Sequence, residues 1–224
     1  MASDATTFVI IQNGVGNEDP FRKTFPNNTI ISCVTWTGAV QASPGLIKHN
    51  PNEDMQIGLY PNQTLKADLE MERLDKFAKL LTNGGTKFTV EENIQIKRWE
   101  KVVWNAAWNP LTTLTGVEVQ TYLKSSPEAM RVTRQLMQEM VDIAQACKVP
   151  LSHDLVEVLI DKVLAMPPIF SSMYVDSQEG RPLEMEVIVG TPMQKANEFG
   201  MQVPVLRTIY SLTAAVNQRL SKSS

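Results

Sequence analysis

The chain has 224 residues, 43% hydrophobic and 20% charged, an ordinary composition for a globular protein with ample apolar material for a core. Its formal charge of −3 is small and its basic residues are scattered among acidic ones, so no basic stripe points to nucleic acid and no polybasic helix to a membrane surface. The two cysteines, Cys33 and Cys147, follow no metal or redox spacing, which leaves two free buried thiols, a reducing compartment and no metal as the expectation.

The opening Met-Ala-Ser-Asp-Ala-Thr-Thr lacks the charged and apolar regions of a signal peptide, and no apolar run is long enough to span a bilayer. A cytoplasmic protein is expected. Thr7 to Gln12 is a nearly continuous apolar run, the pattern of a strand buried on both faces. It ends in Asn13-Gly14-Val15-Gly16, whose glycines can let backbone approach a ligand. Asp19 to Phe25 reads as a short helix. Thr29 to Thr37, Gly45 to His49 and Met55 to Leu59 read as strands broken by turn residues.

From Leu65 the period becomes helical, with Leu69, Leu74, Phe77, Ala78 and Leu81 recurring until Asn83-Gly84-Gly85 supplies a left-handed stop. Lys87 to Val90 is one more strand candidate. Beyond it nearly everything reads as helix. One helix spans Ile94 to Leu114, and a second is capped by Ser126 with Pro127 at its first position and Leu136, Met140 and Ile143 inside. A third is capped by Ser152 and runs to Pro167-Pro168. A fourth starts near Pro182 and is interrupted around Gly190-Thr191-Pro192, and the last covers Val205 to Leu220. The division is an α/β domain at 1–92 and a helical domain at 93–224.

On the long helix, Lys101, Asn105 and Asn109 stand at i, i+4 and i+8. Each step of four turns the face by only about 40°, so the three polar groups form one stripe. A wet helix face is the plain alternative. Yet asparagine is a poor helix former, and Pro110 withdraws the bond to the Ala106 carbonyl and should bend the helix there. A lysine flanked by amides is a reasonable cradle for a small oxyacid, the amides orienting it and the ammonium protonating a developing alkoxide. Ser171 to Asp176, followed by Gly180-Arg181-Pro182-Leu183-Glu184, reads as a polar loop entering a helix with acidic residues in its first turn. The helix dipole alone accounts for such acids.

Together these residues resemble the ketopantoate reductase family. The long helix matches Trp-x-Lys-x-x-x-Asn-x-x-x-Asn-Pro-Leu-Thr from Trp99 to Thr112. Ser-Ser-Met-x-x-Asp, then Gly-Arg and a Glu, matches from Ser171 to Glu184, and Asn-Gly-x-Gly after a buried strand matches at Asn13 to Gly16. The resemblance covers essentially the whole chain. It implies a Rossmann-type sheet followed by an all-helical domain of the 6-phosphogluconate dehydrogenase C-terminal type, with the active site between them. It also implies NADPH-dependent reduction of 2-dehydropantoate to pantoate, in pantothenate synthesis.

Carried over by position, Lys101 is the general acid. Asn105 and Asn109 bind the substrate's hydroxyl and carbonyl region, and Ser172 its carboxylate. Glu184 orders cofactor, substrate or Lys101, and Asn13 lies where nicotinamide and substrate meet. Two departures stand out. The family's glycine-rich strand–turn–helix that holds the pyrophosphate is not found ahead of Thr7, so a truncated Rossmann domain with impaired NADPH binding is expected. Val119 falls where some members carry another substrate-binding asparagine, so a related 2-oxo acid is an alternative substrate.

Two other readings remain open at this point. The first is a non-redox descendant whose carbonyl site performs cofactor-free proton transfer, elimination or cyclisation. The second is a scaffold that dimerises through methionine-rich helices (Met130, Met137, Met140). A shortened sheet would expose the Thr7 to Gln12 edge and favour a homodimer or aggregation.

Overall fold

The computed structural model describes residues 2–49 and 54–223. They form two compact units, the first from residues 1–12 and 16–98, the second from 13–15 and 99–224. A small mixed sheet thus precedes a helical region, the fold class expected from the sequence.

The first unit is built on a four-stranded sheet in the order β1-β2-β5-β6. Strand β1 (Thr7–Ile10) reaches β2 (Thr29–Thr35) through helix α1 (Glu18–Thr24), and β5 (Met55–Tyr60) reaches β6 (Thr89–Val90) through helix α2 (Ala67–Asn83). Both pairs are parallel, as crossover helices require. Between β2 and β5 the chain instead makes a hairpin of β3 (Ala39–Ser43) and β4 (Leu46–His49), so β5 returns antiparallel to β2 with Cys33 opposite Ile57. The sheet is therefore mixed. β3 escapes sequence reading because Gln41 and Ser43 break any apolar alternation.

The core of this unit is Ile31, Cys33 and Ile57 from the two inner strands against Leu74, with Phe77, Ala78 and Leu81 of α2 packed around them. The helical period from Leu65 is thus the period of a face laid on the sheet. Gly85, at φ +72°, supplies the left-handed stop expected of the Asn-Gly-Gly run. β1 is an outer strand, the edge position expected of a shortened sheet, but it is not buried on both faces: Val9 is 37% exposed and Ile11, just beyond it, 51%. An unbroken apolar run marks a strand poor in polar contacts, but it does not tell an edge from a centre.

Burial pushes the Cys33 thiol up to about 12, against the pull of the Arg98 guanidinium. At pH 8 it stays protonated, and the thiolate is the nucleophile. Iodoacetamide is therefore expected to leave Cys33 unmodified in the folded protein and to label it after urea unfolding, as mass spectrometry of the peptide would show. Native labelling at the rate of an ordinary exposed thiol would contradict this.

The second unit is helical. α3 (Ile94–Thr115) starts in the first unit and continues through Pro110, then come α4 (Val119–Ser125), α5 (Pro127–Ala146), α6 (Asp154–Leu164) and α7 (Ser172–Gln178). A π-helical turn (Glu186–Gly190) then runs into α8 (Thr191–Glu198), and α9 (Pro204–Ser223) closes the chain. Ser126 caps α5 as its sequence suggests, accepting from the Ala129 N–H at 3.1 Å, and Leu136, Met140 and Ile143 are wholly buried. Ser152 lies one residue further from its helix than expected. It accepts from the Asp154 N–H at 3.2 Å, while α6 ends at Leu164, short of the prolines. Pro182 precedes the next helical turn rather than starting it.

Glu139, buried in α5, accepts from the Val205 and Leu206 N–H groups at 3.2 and 2.8 Å and so caps α9. Among the described residues no helix is long and apolar enough to cross a membrane, and no cluster of His, Cys, Asp and Glu is placed to hold a metal ion.

Candidate active site

The second unit brings Asn13, Lys101 and Glu184 together. The half-buried Lys101 donates through Nζ to Asn13 Oδ1 at 2.8 Å, and Asn13 Nδ2 donates to Glu184 Oε2 at 2.9 Å. Chemistry fixes the amide's orientation, because an ammonium only donates and a carboxylate only accepts. The amino group of Lys101 is thus held by an amide that is itself held by an acid 171 positions further along the chain.

Asn105 and Asn109 follow Lys101 along the same stripe of α3, 8% and 4% exposed. Among the described residues no hydrogen bond of either carboxamide is found, so both amides can be satisfied by a ligand. Val102, Val103, Ala106 and Ala107 of the same helix are wholly buried and fix it in place. Pro110 does not end α3. Past it, the hydroxyls of Thr112, Thr113 and Thr115 donate to the carbonyls of Trp108, Asn109 and Leu111 at 2.8, 2.8 and 2.6 Å.

The segment that follows Ser171 differs from the expected loop. Residues 172–178 form helix α7 rather than a loop, a turn too short and polar to leave a periodic signature. Ser171, not Ser172, is the buried member. It accepts from the Tyr174 N–H at 3.1 Å as the helix cap, and its hydroxyl meets that of Thr112 at 2.7 Å. Ser171 thereby pins α7 to α3 beside Asn109. Ser172 is exposed at the start of α7, accessible to a ligand from solvent.

The Asp-…-Gly-Arg part of the motif is structural. Gly180 sits at φ +69°, and Arg181 Nε turns back to Asp176 Oδ1 at 2.8 Å. The Leu183 N–H donates to Asn217 Oδ1 at 2.9 Å, so the segment reaches Glu184 already tied to α9.

Gln120, which the sequence does not single out, organises the approach to this region. Its buried amide donates to the Val163 and Pro167 carbonyls at 2.8 and 3.0 Å and accepts from the Ile169 N–H at 3.0 Å. Val119 beside it is buried, and its N–H donates to the Ile169 carbonyl at 3.0 Å. An inward-facing residue here belongs to the support of the 163–169 segment.

Gly14 and Gly16 both adopt positive φ, +88° and +79°. The open side of Gly14 is occupied by protein, however. A Cβ there would overlap the Cβ, Cγ2 and carbonyl oxygen of Val187, so the close approach it permits is to the π-turn and not to a ligand. The helix that follows, α1, has only seven residues, and its first turn is taken up by the chain's own acids, Glu18 buried against Arg98 and Asp19 accepting from Tyr60. The glycine-bearing strand–turn–helix among the described residues therefore does not fit the pyrophosphate of a dinucleotide.

Comparison with known proteins places these features in context. Residues 93–217 match the family model described as ketopantoate reductase PanE/ApbA C terminal, and residues 1–62 that described as ketopantoate reductase PanE/ApbA. The 2-dehydropantoate 2-reductase of Nostoc sp. is 26% identical over 202 residues, covering 90% of this chain and 63% of its own. The chain thus spans a little under two thirds of that relative's length. The crystal structure of 2-dehydropantoate 2-reductase from Methylococcus capsulatus is 32% identical with a TM-score of 0.86, covering 98% of this chain and 68% of its own. D-mandelate dehydrogenase, in its ternary structure with NADH and anilino(oxo)acetate, shares the fold at 21% identity and a TM-score of 0.84, covering 98% of this chain and 70% of its own.

Proposed function

The chain belongs to the ketopantoate reductase family, and from that premise we propose that it acts in the NADPH-dependent reduction of 2-dehydropantoate, or a related 2-oxo acid, to the 2-hydroxy acid. The observation that carries the reading is the Asn13 amide, which joins the Lys101 ammonium to the Glu184 carboxylate at one end of a stripe continued by two buried asparagines. D-mandelate dehydrogenase, described with NADH and an oxo acid, supports the choice of nicotinamide and substrate class.

Because the described residues offer no pyrophosphate cradle, the steps assigned are those of the chain's own side chains. Reduction of a ketone builds negative charge on its oxygen. Lys101 stabilises that charge and supplies the proton that completes the alcohol. Asn105 and Asn109 each offer one acceptor and two donor N–H groups, enough to hold a hydroxyl and a carbonyl at fixed positions along the helix. Ser172 meets the substrate carboxylate. Glu184 orients Lys101 through Asn13, and Asn13 fixes the direction of the ammonium.

The test is calorimetric titration of 2-dehydropantoate into the wild type and into Asn105→Leu and Asn109→Leu. Removing a hydrogen-bonding partner from an enclosed site costs about 1–3 kcal/mol, so each variant should bind roughly tenfold more weakly or worse. Affinity unchanged in both variants would refute the site. Leucine is close to asparagine in size, so folding should survive the change.

A further inference from the structure

The π-turn at Glu186–Gly190 has a local cause and a distant consequence. The Thr191 N–H donates to the Glu186 carbonyl, one residue beyond the α-helical partner, which would be Val187. The next donor along a widened turn would come from residue 192, which is proline and has no N–H. The Val187 carbonyl therefore has no donor within its own helix. It accepts instead from the Val15 N–H at 2.9 Å, and Gly14 lies directly on Val187. The residue before Gly14 is Asn13, the amide that joins Lys101 to Glu184.

We propose that Pro192 is a positioning residue. By withholding an N–H from the widened turn it makes the Val187 carbonyl a seat for Val15, and so fixes the Asn13 carboxamide between Lys101 and Glu184. The proposal rests on the functional reading above for its relevance to chemistry, but the seat itself is a separate structural claim. The side-chain-free surface of Gly14 is its second requirement. Any Cβ would lift the segment from Val187, and φ +88° disfavours one in any case.

Pro192→Ala restores the missing N–H, which then competes with Val15 for the Val187 carbonyl. In the intact chain, amide exchange at Val15 should accelerate by roughly tenfold, the scale of one lost backbone hydrogen bond. The Asn13 side-chain NH₂ resonances should move toward those in Glu184→Gln. Thermal unfolding, followed in parallel, should show the variant folded, since alanine is a better helix former than proline. Gly14→Ala, which leaves residue 192 untouched, should produce the same two spectroscopic changes.

Unchanged Val15 exchange and unmoved Asn13 resonances in both variants would overturn the seat. Titration with 2-dehydropantoate separates this from the functional reading. Loss of affinity in Asn105→Leu and Asn109→Leu with an undisturbed Val15 in Pro192→Ala sinks the seat alone. Faster Val15 exchange, with 2-dehydropantoate affinity indifferent to both asparagines, supports the seat and sinks the functional reading alone.

Discussion

Replacing Arg98 by alanine is expected to destabilise the first unit by about 3–5 kcal/mol, the cost of leaving a carboxylate buried without its cation. Arg98 and Glu18 are 2% and 1% exposed, with Nε and Oε1 2.9 Å apart. The guanidinium also donates to the Gln12 and Cys33 carbonyls at 2.9 and 3.0 Å and to the Ser32 hydroxyl, which in turn donates to Glu18 at 2.6 Å. Gln95 completes the carboxylate's shell at 3.0 Å.

Burial draws the Arg98 proton affinity down, and Glu18 opposes that pull. Fluorescence of Trp36, the tryptophan of this unit, would follow the loss in urea. Stability within about 1 kcal/mol of wild type would show that the network is dispensable. The double variant Arg98→Met with Glu18→Leu should recover only part of the loss, because it removes both charges but leaves the Gln12 and Cys33 carbonyls without their donor.

This network also shows where sequence reading ends. Glu18 falls in α1 and Arg98 in α3, eighty positions apart, and nothing local to either residue names the other. Periodicity finds elements that bury one face along their own length. It outlines α2 and α3 nearly to the residue, and the Ser126-Pro127 cap marks the start of α5. It does not reveal α7 or β3, which are short and lack a regular apolar period. The apolar run of β1 marks a strand and suggests burial on both faces, but Val9 is 37% exposed at the sheet's outer edge, the position a shortened sheet leaves it.

The site was legible to a different depth. Lys101, Asn105 and Asn109 share a stripe by spacing alone, and the structure keeps them on one continuous helix. The link from Lys101 through Asn13 to Glu184 joins three distant segments, and only a resemblance to a family could suggest it beforehand. Gly14 was recognised as a close approach but assigned the wrong partner. The partner is created by Pro192, whose effect is a missing donor, and a missing donor has no pattern in sequence until the surrounding hydrogen bonds are known.

On the proposed function, Lys101→Ala should lower the rate of 2-dehydropantoate reduction by roughly 10²–10⁴-fold, the range for loss of a positioned general acid. The change should fall on kcat and kcat/KM alike, because proton delivery to the oxygen is an interaction made only as charge develops. Affinity for 2-dehydropantoate, which the same proposal assigns to the asparagines and Ser172, should change far less. Lys101→Arg discriminates between the two roles of the ammonium. Arginine keeps the positive charge and can still donate to Asn13 Oδ1, but a guanidinium does not surrender its proton near neutral pH. Turnover in the arginine variant should therefore stay close to that of alanine. An arginine variant with wild-type turnover would remove proton transfer from Lys101 and leave it the stabilisation of charge alone.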